Sequence, residues 1–316
     1  MFSKQTIDEY PMGIMFHHFH DNDKHIKCQG SVSAEEFEEL ICWLKKEYML
    51  LTAEEFLRNA IDGILTPNMK CLTFDDGLKC QFDIAVPVLK KYNLTAFWFL
   101  YTLPYVGEKQ VDRLEVYHHF RFSVFEDINM FYNCFFEFLK MTDMYENLGI
   151  DKEIRNFDVQ KYRPECSFYT YEDRLFRYVR NNVLKEKYHL VMQKMMEYYE
   201  YDVNCVKEKL WLREDDIISL STSGHVLGMH SHSHHTSLTS LNYDEQKKEW
   251  EENKRILEAL INKEVITASY PCGSFDANTI QIMKENEVTP ICLEDIILEI
   301  KNSQAIAKKQ KLSYNT

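Results

Sequence analysis

Two apolar stretches in this chain stop abruptly on clusters of polar side chains, and that pattern narrows the folds open to it. Met69–Phe74 reads as a buried strand and runs into Asp75-Asp76-Gly77. Val226–His230 reads as another and runs into Ser231-His232-Ser233-His234-His235. A strand that is apolar on both faces belongs in a parallel sheet covered by helices. In such sheets and barrels the carboxyl ends of the strands gather in one place, where ligands bind. The two clusters, far apart in sequence, are therefore expected to meet.

The surrounding pattern supports alternating strands and helices. Gly13–Phe19 reads as a first strand and Leu94–Leu100 as a further buried one. Ser33-Ala34-Glu35-Glu36 is a capping box opening a helix with Phe37, Leu40, Ile41 and Leu44 on one face. Thr52-Ala53-Glu54-Glu55 is a second box, and Asp83–Tyr92 a helix despite Pro87. Later, Asp215–Ser223 reads as a helix stopped at Gly224, and Asn242–Ile261 as a long helix opened by Asn242-Tyr243-Asp244-Glu245. Val265–Tyr270 reads as a strand, Asp276–Asn286 as a helix and Val288–Leu293 as a last strand.

Between these halves, from 104 to 212, the style changes. Only two of the chain's nine glycines fall there, and aromatic residues crowd in at helical spacing. Examples are Ile128, Phe131, Phe135 and Phe138, then Tyr188, Met192, Met195 and Tyr199. The pattern predicts an all-helical insert with its own small core; an aromatic lid over a sugar or lipid is the sharper alternative. The expected organisation is thus 1–103 and 213–316 as two parts of one α/β barrel-like domain, interrupted by 104–212.

Composition removes several functions. With 37 basic and 50 acidic side chains the formal charge is −13, which disfavours nucleic acid and anionic membrane surfaces. No apolar run approaches the roughly 18 residues of a membrane span. The N-terminus lacks the basic and apolar segments of a signal peptide. Nine cysteines, an odd number without a Cys-x-x-Cys pair, suit thiols in a reducing compartment. A cytoplasmic location is expected, with oligomerisation through the insert possible.

The polar clusters carry the chemistry. Adjacent Asp75 and Asp76 repel unless a cation or proton donor offsets them. Five of the twelve histidines lie between His225 and His235, and neutral imidazole is the commonest metal ligand. His230 and His234 can converge if their loop turns helically, leaving His232 pointing elsewhere. One carboxylate with two imidazoles leaves positions open on zinc for water and substrate. A third cluster, Ser269-Tyr270-Pro271-Cys272-Gly273-Ser274, follows another strand, and its turn can aim backbone N–H groups at one point.

Thr73-Phe74-Asp75-Asp76-Gly77, His230-Ser231-x-x-His234 and Tyr270-Pro271-x-Gly273, in this order, resemble the polysaccharide deacetylase (NodB-homology, carbohydrate esterase) family. The resemblance covers about 1–103 and 213–293. It implies a distorted (β/α) barrel of the polysaccharide deacetylase type, here with a large helical insertion. It also implies a divalent metal, usually zinc, and removal of N-acetyl groups from a sugar or glycoconjugate substrate. Carried over by position, Asp76, His230 and His234 would ligate the metal, and Asp75 would be the general base. The backbone N–H of Cys272 would help hold the oxyanion. Three departures stand out: Ser269 replaces a frequent arginine, Cys272 replaces an aromatic, and no histidine follows His235 to serve as acid. Asp75 returning its proton, or His17 at the first strand's end, is the candidate acid. Hydrolysis of another C–N bond or an O-acetyl ester, and a degenerate non-catalytic carbohydrate-binding protein, are the competing expectations.

Overall fold

The computed structural model describes residues 8–106, 112–164 and 169–290. These divide into two compact units. One contains Arg113–Glu208 with Ile26–Gln29, and the other the described residues of 8–25, 30–112 and 209–290.

The larger unit is built on seven parallel strands: β1 (Met12–Phe16), β2 (Met49–Leu50), β3 (Met69–Asp75), β4 (Phe97–Leu100), β5 (Val226–Met229), β6 (Thr267–Ala268) and β7 (Thr289–Pro290). Their order is β1-β3-β4-β5-β6-β7, and β2 pairs with the start of β3. Among the described residues no pairing joins β7 to β1, so the sheet is an open, half-barrel form of the expected distorted (β/α) barrel. β3 and β4 are almost wholly buried, β4 as an unbroken apolar run and β3 with Lys70 inside it, whose Nζ donates to the Tyr10 carbonyl at 2.9 Å. Phe74 of β3 stacks on Trp98 of β4 with centroids 4.4 Å apart.

The helices form where the sequence signals them. Ala34–Glu47 and Ala53–Ile61 both start with the predicted capping boxes, at Ser33 and Thr52. Phe37, Ile41 and Leu44 are buried, as the predicted face requires, while Leu40 is only partly so. Asn242 caps Tyr243–Ile261, and Asp276 caps Ala277–Glu285.

Several boundaries differ from expectation. The first strand ends at Phe16 because the chain then turns aside to bond with Val32 through His18 and His20. The helix expected over Asp83–Tyr92 is a π-turn, Gln81–Ala85, followed by helix Val86–Lys91. Pro87 lacks an N–H and its ring crowds the carbonyl four residues back, so the ladder widens just before it. The strand expected over Val265–Tyr270 is only Thr267–Ala268, because the Glu258 side chain takes the Val265 N–H. Of Val288–Leu293, β7 lies within the described residues and 291–293 lie outside them.

Gly228 lies where strands approach closely. A Cβ there would meet Phe99 of β4 and Thr267 of β6, each at 2.5 Å, so only glycine lets three strands stay in register. His225, at the opposite end of β5 from the polar loop, is structural. Its Nδ1 accepts from the Ala96 N–H and from Trp98 Nε1–H, both at 3.1 Å.

The smaller unit is helical among its described residues. Helix Ile128–Lys140 buries Phe131, Tyr132, Phe135 and Leu139, with Phe138 only half-buried. Lys187–Tyr198 buries Tyr188, Val191, Met192, Met195 and Met196. Phe131, Phe135 and Tyr188 all pack around Phe176.

Burial pushes the His225 imidazole down to about 4 from 6.5, so folding favours its neutral form. Its contribution is full above pH 6.5 and is lost as pH falls toward 4. We expect the wild type to lose about 2–4 kcal/mol more than His225→Asn across that window, by urea unfolding at each pH. Parallel pH curves would contradict this.

Candidate metal centre at the strand ends

Asp75 closes β3 at the same end of the sheet where β5 delivers His230 and β6 delivers Ser269. Asp76 and Gly77 follow with φ of 75° and 64°, a tight left-handed turn that glycine favours. A Cβ on Gly77 would also meet Leu100 at 2.8 Å. This turn aims the Asp76 carboxylate at the histidine loop. Asp76 Oδ1 is 3.4 Å from His230 Nε2 and 3.2 Å from His234 Nε2.

The two imidazoles converge, with ring centroids 5.2 Å apart, but not through the helical loop the spacing suggested. Ser231 and His234 adopt φ of 58° and 56°, and these two left-handed residues fold the loop back. The helix Tyr243–Ile261 holds it there. Glu249 accepts from the N–H groups of His232 and Ser233 at 3.0 and 2.7 Å. One turn later, buried Asn253 accepts from the His230 N–H at 3.0 Å and donates to the Leu100 carbonyl at 3.0 Å. His232 is turned away and pairs with Thr102 at 2.9 Å, while His235 accepts from the Ser237 N–H at 3.3 Å.

The outer nitrogens set the tautomers. His230 Nδ1 donates to the Ser269 carbonyl at 2.9 Å, and His234 Nδ1 donates to the Asp112 carboxylate at 2.7 Å. In the neutral rings both Nε2 atoms therefore carry lone pairs pointing inward. Asp76 Oδ1 is buried without a hydrogen-bond partner among the described residues. Ligand atoms of Asp76, His230 and His234 all lie within 4.8 Å of one another. Three groups able to turn lone pairs toward one point form the donor set of a divalent cation site. The electrostatics agree. Burial opposes the charge on His234, yet the Asp76 and Asp112 carboxylates lift its imidazole to about 9. Burial likewise opposes the charge on Asp76, but His234 and His230 hold its carboxyl well below the usual range. The site calls for positive charge.

Asp75 stands apart from this trio. It is buried; its Oδ2 accepts from Ser269 Oγ–H at 3.2 Å and lies 4.0 Å from His230 Nε2. Its Oδ1 has no partner among the described residues. Burial raises its carboxyl above the ordinary value, although His230 and His17 pull the other way. His17 sits half-exposed with Nε2 3.9 Å from Asp76 Oδ2. Cys272 lies in the turn Pro271–Gly273 with φ 54°, beyond Ser269 in the same β6 exit. Tyr101 stacks on the His234 ring at 5.0 Å.

Reading the sequence missed Asp112, Glu249, Asn253 and Gln81, whose amide donates to the carbonyls of His17 and Asp75 at 2.7 and 2.6 Å. Glu249 and Asn253 left one signal: polar residues at i and i+4 flanking the buried Trp250 of one helix.

Residues 164–291 match the polysaccharide deacetylase family model, a span that includes His230, His234 and Cys272, with Asp75 and Asp76 upstream. A poly-beta-1,6-N-acetyl-D-glucosamine N-deacetylase of Staphylococcus aureus strain MSSA476 is 35% identical over 102 residues, 32% of this chain and 34% of that protein. The protein of the same name from Staphylococcus epidermidis strain ATCC 35984 is 34% identical over 95 residues, 27% of this chain and 33% of that one. The match therefore spans about a third of these relatives' length. The structure of IcaB from Ammonifex degensii superposes with a TM-score of 0.50, covering 89% of this chain and 82% of that one at 13% identity, a likeness of fold. The polysaccharide deacetylase resemblance drawn from the three motifs, and the barrel type it implied, are borne out.

If Asp112 fixes the His234 tautomer, Asp112→Asn should weaken zinc binding about 10–100-fold with little change in far-ultraviolet circular dichroism. Calorimetric zinc titration of the two proteins checks this, and equal affinities would count against it.

Proposed function

We propose that the chain is a metal-dependent hydrolase that removes an N-acetyl group from a sugar or sugar conjugate in surface-glycan or glycoconjugate synthesis. One observation carries the reading. Asp76 Oδ1 and the inward Nε2 atoms of His230 and His234 converge within 3.4 and 3.2 Å, beside a separate buried carboxylate, Asp75. That arrangement suits a cation holder paired with a base. The motif resemblance and the relatives named above support N-acetylglucosamine units as the substrate class.

In this reading Asp76, His230 and His234 hold the cation, and the mixed nitrogen and oxygen donors suit zinc. A divalent cation bound there supplies Lewis acidity and makes water acidic at neutral pH. Asp75 takes the proton of the attacking water through Oδ1, while Ser269 Oγ–H holds Oδ2 and so fixes the carboxylate plane. Ser269 thereby fills the orienting role that an arginine has in many members of the family. The backbone N–H of Cys272 stabilises the oxyanion, a role indifferent to the side chain. The departing amine needs a proton, and no histidine follows His235. His17, half-exposed at the rim beside Asp76, is the proposed donor, with Asp75 returning its own proton as the alternative route.

No helix among the described residues is long and apolar enough to cross a membrane. Cys42, Cys71 and Cys134 are thiols, which supports the proposed cytoplasmic location.

Acetate release from N-acetylglucosamine oligomers by the zinc-loaded chain tests the proposal. Asp75→Asn should keep stoichiometric zinc and lose about 100-fold or more in kcat. His230→Ala should lose both zinc and turnover. Release from O-acetyl esters alone would move the assignment to an esterase. Sugar binding without release of acetate would move it to a binding module.

A further inference from the structure

We infer that Arg121, Arg177 and Arg180 form an anion pocket in the helical unit that takes a phosphate group. The three come from separate turns of the chain: Arg121 from helix Arg113–Val124, Arg177 from helix Tyr171–Tyr178, and Arg180 from the π-turn that follows it. Arg121 and Arg180 share one aromatic floor, while Arg177, three residues before Arg180 and so on the same side of the chain, lies 4.2 Å from the ring centroid of Tyr169. The guanidinium carbons of Arg121 and Arg180 each lie 5.9 Å from the Phe176 ring centroid. Arg180 is also 5.9 Å from the ring of Tyr188, and Arg121 is 5.8 Å from that of Phe131.

What sets the cluster apart is the lack of negative charge to match it. None of the three arginines makes an ion pair among the described residues, whereas Arg155, Arg213 and Arg255 each pair with a carboxylate. Arg177 Nε is buried and has no hydrogen-bond partner among the described residues. Asp173, on the same helix, is committed to the Tyr132 hydroxyl at 2.6 Å and to the Thr170 N–H at 3.0 Å. Glu153 accepts from Tyr178 at 2.6 Å. The aromatic faces offset part of the charge, and the Nε groups of Arg121 and Arg180 find neutral acceptors, the Tyr117 carbonyl at 3.3 Å and Asn181 Oδ1 at 2.7 Å. Burial, with Arg121 and Arg177 as repelling neighbours, lowers the proton affinity of Arg180.

The chemistry of the ligand follows from the donors. Guanidinium forks bind carboxylate or phosphate through paired N–H groups. A planar carboxylate with one charge is satisfied by a single fork. A tetrahedral dianion presents oxygens in several directions and matches cations arriving from three turns.

Inorganic phosphate is the probe, added to the full chain with potassium chloride at matched ionic strength as control. At about 10 mM phosphate the wild type should gain about 2–4 °C in Tm over the chloride control. Arg177→Gln and Arg180→Gln should each remove that difference. Phosphorus-31 line broadening on titration with wild-type protein should saturate, and this arm needs no variant to fold. Equal Tm in both salts, an unchanged phosphate response in both variants, or the absence of saturable broadening would each overturn the inference. The readouts do not involve turnover, so they stand or fall independently of the deacetylase proposal.

Discussion

The site depends on two hydrogen bonds made away from its centre. His230 gives its Nδ1 proton to the Ser269 carbonyl, and His234 gives its own to Asp112. Each bond leaves the opposite nitrogen of its ring bare and aimed inward. Without them, either ring could flip and turn the wrong nitrogen or a carbon toward Asp76. With them, the ring orientations are fixed, and the positive charge that Asp76 and Asp112 draw to the centre can come from a proton on His234 or from a cation. The sheet supplies the scaffold for this, because parallel strands β3, β5 and β6 end on the same edge of the sheet, with β4 between the first two.

Much of this was legible in the chain because burial and backbone punctuation write strong local signals. β3 and β5 showed as apolar runs, and their polar ends named Asp75, Asp76, His230 and His234 together. The capping boxes at Ser33, Thr52 and Asn242 fixed helix starts to within a residue. The loop geometry was less visible. Nothing in Ser231 or His234 announces a left-handed backbone, since neither is glycine, and the i, i+4 spacing suggested a helical turn instead. Glu249 and Asn253 were hidden for another reason. A polar residue on a helix looks the same whether it faces water or a neighbouring loop, and only the fold separates the two. Asp112 carries no local signature at all.

The helical unit shows where periodicity is reliable and where it is not. Helical spacing located Phe131, Phe135, Tyr188, Met192 and Met195 in the core. It could not distinguish a cationic side chain stacked on that core from one waving in solvent. Arg121 and Arg180 lie over Phe176, and in sequence they look like ordinary surface arginines on amphipathic helices. Aromatic-rich cores make such placements available, because a ring face accepts a guanidinium where an aliphatic surface would not.

Ser269 joins two functions in one residue. Its carbonyl fixes His230 and its hydroxyl fixes Asp75, and it leaves a strand only two residues long. The two roles use different atoms, so chemistry can part what position joins. Replacing Ser269 by alanine keeps the carbonyl that sets the His230 ring and removes only the hydroxyl that steadies Asp75. The candidate base can thus be loosened while the candidate ligand beside it stays in place.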